Sequence, residues 1–429
     1  MNKLKKQAPA LYKIAEFITS INPKSISHET VHQTKRVIAD TIGTAYSGIK
    51  SDAFKIASKS FQDSYSLGKC NVWGTDLHLN ELGAVFFNAL AISSTDFDEG
   101  HRSAVGHPAS LVVPVALALG DENDIPYEDI ITSIIIGYEV GTRFSNARIK
   151  EKITTYSSGR WGAIGSAATA SFLLQLNIEQ TMHALSLAAI LSPTMLGGST
   201  DVSTGSMAKE GVAWASLTGL QSAMSAKEGF IGPYLFVDEH DDYDSKRLTE
   251  KLGNSWLIDT NYFKPYACCR WLHSAIEAGL KLKKDNNIEY SNIKNIEVEI
   301  FTRAIDLVGA TYPGNSIQAQ FHLPYCLATA LNNDKLLPGY FDEKHLKKEK
   351  TNDLINRITL IPSEKYDSIF PEKLPSKVTI TLSNSNVYSK EIVIAPWDAI
   401  NQPSDEELFK KFINQTGEKG RNLWDTIFS

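Results

Sequence analysis

The sequence predicts a mainly α protein, a large all-helical domain into which a smaller α+β domain is inserted. Three observations predict it. Apolar residues recur at helical spacing up to Phe263, a period-two alternation typical of strands begins only after that point, and helical spacing returns at the C-terminus. The boundaries that follow are a helical domain over 1–263, completed by 395–429, and an α+β lid domain over 264–394. A chain of 429 residues is long enough for about two or three ordinary domains.

Taken in order, Val37, Ile38, Ile42 and Ala45 share one face of an amphipathic helix. The stretch Ala84 to Ser94 is apolar and small, so the charged run after it must emerge where a buried element ends. Ile130, Ile131, Ile134, Ile135 and Tyr138 form a deeply buried helix. A second, Gly165 to Leu176, carries small side chains that let neighbouring helices approach closely. After Phe263 the pattern predicts helices over Trp271 to Leu282 and Ala319 to Leu331. It predicts strands where Ile296, Val298 and Ile300 alternate with Glu297 and Glu299, and where Val378, Ile380 and Leu382 alternate with Thr379 and Thr381. Helices and strands do not alternate regularly there, which makes this part α+β. Ser404 with Glu407 three residues on reads as a capping box before Leu408, Phe409 and Phe412. This last helix is expected to return to the first domain. No internal repeat or low-complexity linker is evident.

Composition excludes several classes of function. The formal net charge of −6 argues against a phosphate-binding surface, so no nucleic-acid partner is expected. Hydrophobic residues at 42% and charged residues at 21% match compact soluble chains rather than disordered ones. Lys13 and Glu16 interrupt any apolar core behind the basic Met1 to Lys6, and the apolar run Leu111 to Leu119 holds Pro114 and is too short to span a bilayer. Cys70, Cys268, Cys269 and Cys326 show neither a disulfide framework nor metal-ligand spacing. A cytoplasmic location without membrane attachment is the expectation.

The densest chemistry lies in Asp96-Phe97-Asp98-Glu99-Gly100-His101-Arg102 and Gly106-His107-Pro108. Three carboxylates and two histidines so close together can move protons. His107 precedes a proline, which biases its backbone toward an extended conformation, and Asp96 or Asp98 could orient its ring. A lone histidine is more often a structural hydrogen-bonder, and Asp98 and Glu99 read equally well as a solvated loop.

These residues, with Asn88-Ala89 before them and Pro114 to Leu119 after, resemble the signature stretch of the MmgE/PrpD family. The similarity continues through Gly137-Tyr138-Glu139-Val140, Gly159 to Gly165 and Gly205-Ser206-Met207-Ala208-Lys209. It reaches Lys264-Pro265-Tyr266-Ala267-Cys268-Cys269-Arg270-Trp271-Leu272-His273 and Ala319 to Tyr325, so most of the chain is covered. Members of the family include dehydratases of 2-methylcitrate, decarboxylases of cis-aconitate and epimerases of iminodisuccinate. The resemblance implies a homodimer, a site in the cleft between the two domains, and catalysis with no metal or other cofactor.

By motif position the resemblance implies Asp96, His107, Lys209 and His273 as catalytic residues and Tyr325 as a substrate contact, with Arg270 a plausible carboxylate anchor. Lys209 follows a loop running from Gly197-Gly198-Ser199-Thr200 to Gly205-Ser206, which at a helix start can offer N–H groups to an anion and carries no nucleotide fingerprint. A desolvated lysine there can act as base or acid. On residue type alone, Lys209 reads more readily as a solvated lysine beside Glu210, while Arg270 reads equally well as a surface ion pair and Tyr325 equally well as a core aromatic. Two departures stand out. Gly100 replaces the threonine common in relatives, and Tyr156 stands where dehydratases and decarboxylases commonly carry histidine. The expected function is therefore a metal-independent lyase acting on a small di- or tricarboxylate. The alternatives are a two-base epimerase using Tyr156 and Lys209, and a catalytically silent carboxylate-binding relative.

Overall fold

A computed structural model of the protein describes residues 2–193, 202, 204–239 and 241–429. Residues 197–200 of the glycine-containing loop before Lys209 lie outside the described residues.

The N-terminal part begins with α1 (Pro9–Ser20) and α2 (His28–Gly48). Ser27 starts α2 by accepting a hydrogen bond from the Thr30 amide at 3.1 Å, which satisfies one of the helix's free N–H groups. A short antiparallel pair, β1 (Leu67–Asn71) and β2 (His78–Leu79), then departs from the all-helical expectation. Its strands are too short for their period to register in the sequence. The helices α3 (Glu81–Ser93), α4 (Pro108–Asn123), α5 (Tyr127–Asn146), α6 (Gly159–Leu173), α7 (Ile178–Leu191) and α8 (Val212–Lys227) follow. α6 is packed among α4, α5, α7 and α8. Glycine makes this possible: a Cβ on Gly137 of α5 would stand 2.8 Å from the Gly165 carbonyl oxygen of α6.

Beyond Phe263 come α9 (His273–Asp285), β3 (Ile293–Ile300), α10 (Ser316–Phe321), α11 (Leu323–Asn333), β4 (Ile358–Pro362), β5 (Ser376–Leu382) and β6 (Val387–Ile392). The sheet order is β4-β3-β5-β6, with β3 and β4 parallel and the other pairs antiparallel. Ile296, Val298, Ile300, Val378, Ile380 and Leu382 are buried, as the alternation predicts. Two predicted helices have different bounds. The one expected from Trp271 begins at His273, after a single 3-10 turn over Arg270–Leu272. The one expected over Ala319 to Leu331 breaks at His322, whose Nδ1 accepts the Tyr325 amide at 3.0 Å and whose chain then enters Pro324 in a new first turn.

The chain ends with α12 (Asp405–Thr416), which opens with the Ser404/Glu407 capping box, and α13 (Gly420–Phe428). Both pack on α2. Leu408, Phe412 and Ile427 thereby join a buried apolar cluster formed by the helices before Phe263, while a second cluster is built from residues 266–382 and Phe97. No helix among the described residues is long and apolar enough to cross a membrane. A cavity of about 680 Å³ is lined by residues of both parts, Asp96, His107 and Lys209 from one and Arg270, Arg303 and Phe321 from the other.

Candidate active site

The acidic run sits where α3 stops. Ser93 and Ser94 turn their hydroxyls back onto the Ala89 and Leu90 carbonyls, satisfying groups that the helix end leaves free. Asp96 then takes a left-handed backbone conformation at φ 49°, unusual for a residue with a side chain. The loop is fixed from behind by α12 and α2: Lys411 donates to Asp40 Oδ1 and to the Phe97 carbonyl, both at 2.6 Å, and Asp40 Oδ2 accepts the Glu99 amide at 2.9 Å. From the other side, reciprocal backbone hydrogen bonds at 2.9 and 3.1 Å join Gly100 to Tyr262. That bridge sets the following Lys264 against the acidic loop.

Asp96 is the electrostatic centre. Its Oδ1 accepts from Lys264 Nζ at 2.7 Å and lies 3.5 Å from Lys209 Nζ and 3.6 Å from His107 Nε2. Burial alone would raise its pKa, but the charges of Lys209, Lys264 and His107 outweigh that and hold the carboxyl well below its usual range. The effect is reciprocal for Lys264, where Asp96 more than offsets the burial penalty and keeps the amine protonated. Lys264 was not singled out from the sequence. Its one local signal is a lysine before proline in an otherwise apolar run.

His107 points Nδ1 at the Glu99 carbonyl oxygen, 2.9 Å away, with Asp98 Oδ2 at 3.1 Å. The N–H is aligned with the carbonyl, so Asp98 acts on the ring by its charge. Burial would lower the imidazole, but Asp98 overrides it and His107 is pushed up to about 9. It is an imidazolium at neutral pH. Glu99, buried and accepting from the Ala109 amide and the Tyr138 hydroxyl, is raised by burial to about 7.

Lys209 lies in a tight turn in which Lys209, Glu210 and Gly211 all have positive φ, of 38°, 57° and 69°. Such conformations cost non-glycine residues about 1–3 kcal/mol each and persist where surrounding structure enforces them. Glu210 supplies part of that enforcement. Its Oε2 accepts from the Ser158 amide at 2.9 Å and hydroxyl at 2.7 Å, and Ser158 Oγ in turn accepts the His107 amide at 3.1 Å. The Lys209 turn and His107 are thus held through one serine. Lys209 Nζ is buried, has no hydrogen-bond partner among the described residues, and stands 4.4 Å over the Phe321 ring.

Asp96, His107, Tyr156, Lys209 and Arg270 therefore line one cavity, while His273 and Tyr325 do not. His273 is fully buried behind Arg270. Its Nε2 donates to the Cys268 carbonyl at 3.2 Å, leaving Nδ1 to accept from Arg270, and burial together with the Arg270 charge drives its pKa well below the ordinary value. A neutral imidazole occupied at both nitrogens is a structural element, not the acid expected from the motif. Tyr325 is buried, its hydroxyl donating to the Tyr340 carbonyl. Arg270 reaches the cavity with its guanidinium already engaged: Nη1 donates to Pro396 O at 2.6 Å and Nη2 to Asp398 Oδ2 at 3.3 Å. Of the anchoring expected of it, most serves to hold the 395–398 segment. Arg303 is a different case. It is exposed, lies 5.1 Å over the Tyr156 ring, and has no ion partner among the described residues.

Asp96, Asp98 and His107 offer ligand atoms within 4.8 Å of one another, a spacing that could hold a metal ion. Asp96 Oδ1 is already shared by the amines of Lys209 and Lys264, however, and the positive charge a metal would bring there is supplied by lysine. The donor set suits proton transfer beside an anion.

Comparison with known proteins gives the same family as the motifs. The sequence model of the MmgE/PrpD N-terminal domain matches residues 12–244 and that of the MmgE/PrpD C-terminal domain matches residues 266–421. The chain is 26% identical over 387 residues to cis-aconitate decarboxylase of Aspergillus terreus (strain NIH 2624 / FGSC A1156), covering 82% of this chain and 78% of that one. It is 26% identical over 451 residues to cis-aconitate decarboxylase of Homo sapiens, covering 96% and 89%. A cis-aconitate decarboxylase-like protein, oryM, of Aspergillus oryzae (strain ATCC 42149 / RIB 40) is 22% identical over 433 residues, covering 93% and 89%. With both family domains matched in order and nearly end to end, the chain belongs to the MmgE/PrpD family.

Proposed function

We propose that the protein is a lyase that decarboxylates or dehydrates a small di- or tricarboxylate by proton transfer beside a carboxylate. The observation that carries this is Lys209 Nζ, buried without a hydrogen bond among the described residues, 3.5 Å from Asp96 Oδ1 on the cavity that also holds the His107 imidazolium. A lysine side chain kept out of water, with no hydrogen bond among the described residues, has donor capacity left for a substrate carboxylate. The names of the similar proteins point the same way. In a decarboxylation, the bond to the departing carbon dioxide breaks, its electron pair stays on the substrate carbon, and His107 donates a proton there before recovering one from solvent. Lys264 holds Asp96 ionised beside it throughout.

A second reading, epimerisation, rests on Tyr156, whose side chain lines the same cavity as Lys209. A phenol and an amine can remove and return a proton at opposite faces of one carbon. Incubation with citrate, 2-methylcitrate, cis-aconitate and iminodisuccinate in deuterated water separates the two. Release of water or carbon dioxide supports the lyase, while deuterium entry with change of configuration and no release supports the epimerase. Thermal stabilisation without either marks a silent binder, and no response to any acid refutes the reading. Lys209→Ala is expected to reduce turnover ~100-fold or more.

Within this reading, the segment 264–394 serves as a lid over the cavity and the working form is a homodimer. Its proposed contact is the apolar patch of Ile190, Leu191, Phe230 and Ile231, all exposed in the single chain.

A further inference from the structure

Tyr262 carries a group that nothing described so far employs. Its side chain is nearly buried and lines the cavity that holds Asp96, His107 and Lys209. Its hydroxyl has no hydrogen-bond partner among the described residues. The oxygen is not sealed off in the core but opens onto the cavity, where a bound ligand can meet it.

Its placement is enforced from three directions. The backbone of Tyr262 is pinned to Gly100 by two hydrogen bonds. The ring lies beneath the Arg270 guanidinium, with Cζ of Arg270 4.7 Å from the ring centroid. Its far end fills the space in which a side chain at position 100 would stand: a Cβ on Gly100 would come within 2.6 Å of Tyr262 Cζ and closer still to Oη. The missing side chain at Gly100 and the phenol of Tyr262 are two halves of one arrangement. Burial raises the phenol well above its ordinary pKa, so it keeps its proton at any working pH. A neutral donor among fixed cations can hydrogen-bond a substrate oxygen without adding charge.

We propose that Tyr262 is a substrate-contacting residue whose hydroxyl donates a hydrogen bond to a carboxylate oxygen of the bound acid, from the side of the cavity that Gly100 leaves open. The inference rests on the carboxylate-binding part of the reading above, and a non-reacting probe separates the two. Propane-1,2,3-tricarboxylate has neither a hydroxyl to eliminate nor a double bond to assist decarboxylation, so calorimetric titration with it reads binding alone. Tyr262→Phe keeps the ring under Arg270 and removes only the donor. Its affinity for the probe is expected to fall at least tenfold, as for loss of a hydrogen bond to a charged group, with the melting temperature unchanged. Affinity within twofold of the parent protein overturns the assignment. So does a lower melting temperature in Tyr262→Phe, which would mean that the hydroxyl has a structural partner. Tyr262-dependent binding of the probe without turnover of any acid leaves this inference standing and removes the lyase. No binding of the probe by the parent protein overturns both.

Discussion

At the scale of the residue, the behaviour of His107 follows from what surrounds it. Asp98 keeps the ring protonated to about 9, so a reaction that uses it as an acid should lose kcat/KM as pH rises through that value. Asp98→Asn removes the charge responsible, and the alkaline limb is expected to move toward the ordinary histidine value of about 6.5. An unmoved limb in a pH–rate profile would mean that another group is the acid. The same shift bears on stability. Because the folded pKa is raised, the contribution of His107, on the order of 3 kcal/mol, is complete below about 6.5 and is lost as pH rises through about 9. Thermal melts of His107→Gln should accordingly lack the parent protein's decline across that window. Sequence alone pointed to Asp96, His107, Tyr156 and Lys209, all of which line the cavity. It also pointed to His273 and Tyr325, whose polar atoms are taken up by Cys268, Arg270 and Tyr340. Hydrogen-bond partners of this kind leave no trace in spacing.

At the scale of the element, the C-terminal helix α12 matters through one lysine. Lys411 and Asp40 are both buried, and between them they hold the backbone of the acidic loop at Phe97 and Glu99. Lys411→Met should destabilise the protein by about 3–5 kcal/mol in urea titration, since it strands a buried carboxylate. The double change Asp40→Asn with Lys411→Met is expected to recover part of that stability. Activity should remain low in both, because the loop that carries Asp96 and Asp98 loses its support. A single variant as stable as the parent protein would show that the pair contributes little. The Ser404/Glu407 capping box that starts this helix was legible because it is local, three residues apart and followed by an apolar face. The break at His322 was not, because the apolar spacing continues across it and only the turn geometry of His322 with Pro324 interrupts the helix.

At the scale of the whole molecule, the cavity lies where residues of both cores meet, and the exposed apolar patch lies on the helical part at the ends of α7 and α8. Ile231 is 73% exposed and Phe230 62%. If the patch is the homodimer contact, Phe230→Asp with Ile231→Asp should halve the mass measured by light scattering without altering the circular dichroism of the monomer. A parent protein that is already monomeric would remove the dimer.

What the sequence determined by itself was everything set by neighbours along the chain: the helical period before Phe263, the strand alternation after it, the terminal capping box and the family motifs. The tertiary structure alone decided which charged groups are free to meet a substrate. Lys264 and Asp96 are 168 residues apart, and Lys411 and Asp40 are 371 apart. A cation's availability depends on whether folding brings it an anion. Arg270 is given one in Asp398, Lys264 is given a hydrogen-bonded one in Asp96, and Lys209 meets that same carboxylate only at 3.5 Å, with no hydrogen bond among the described residues.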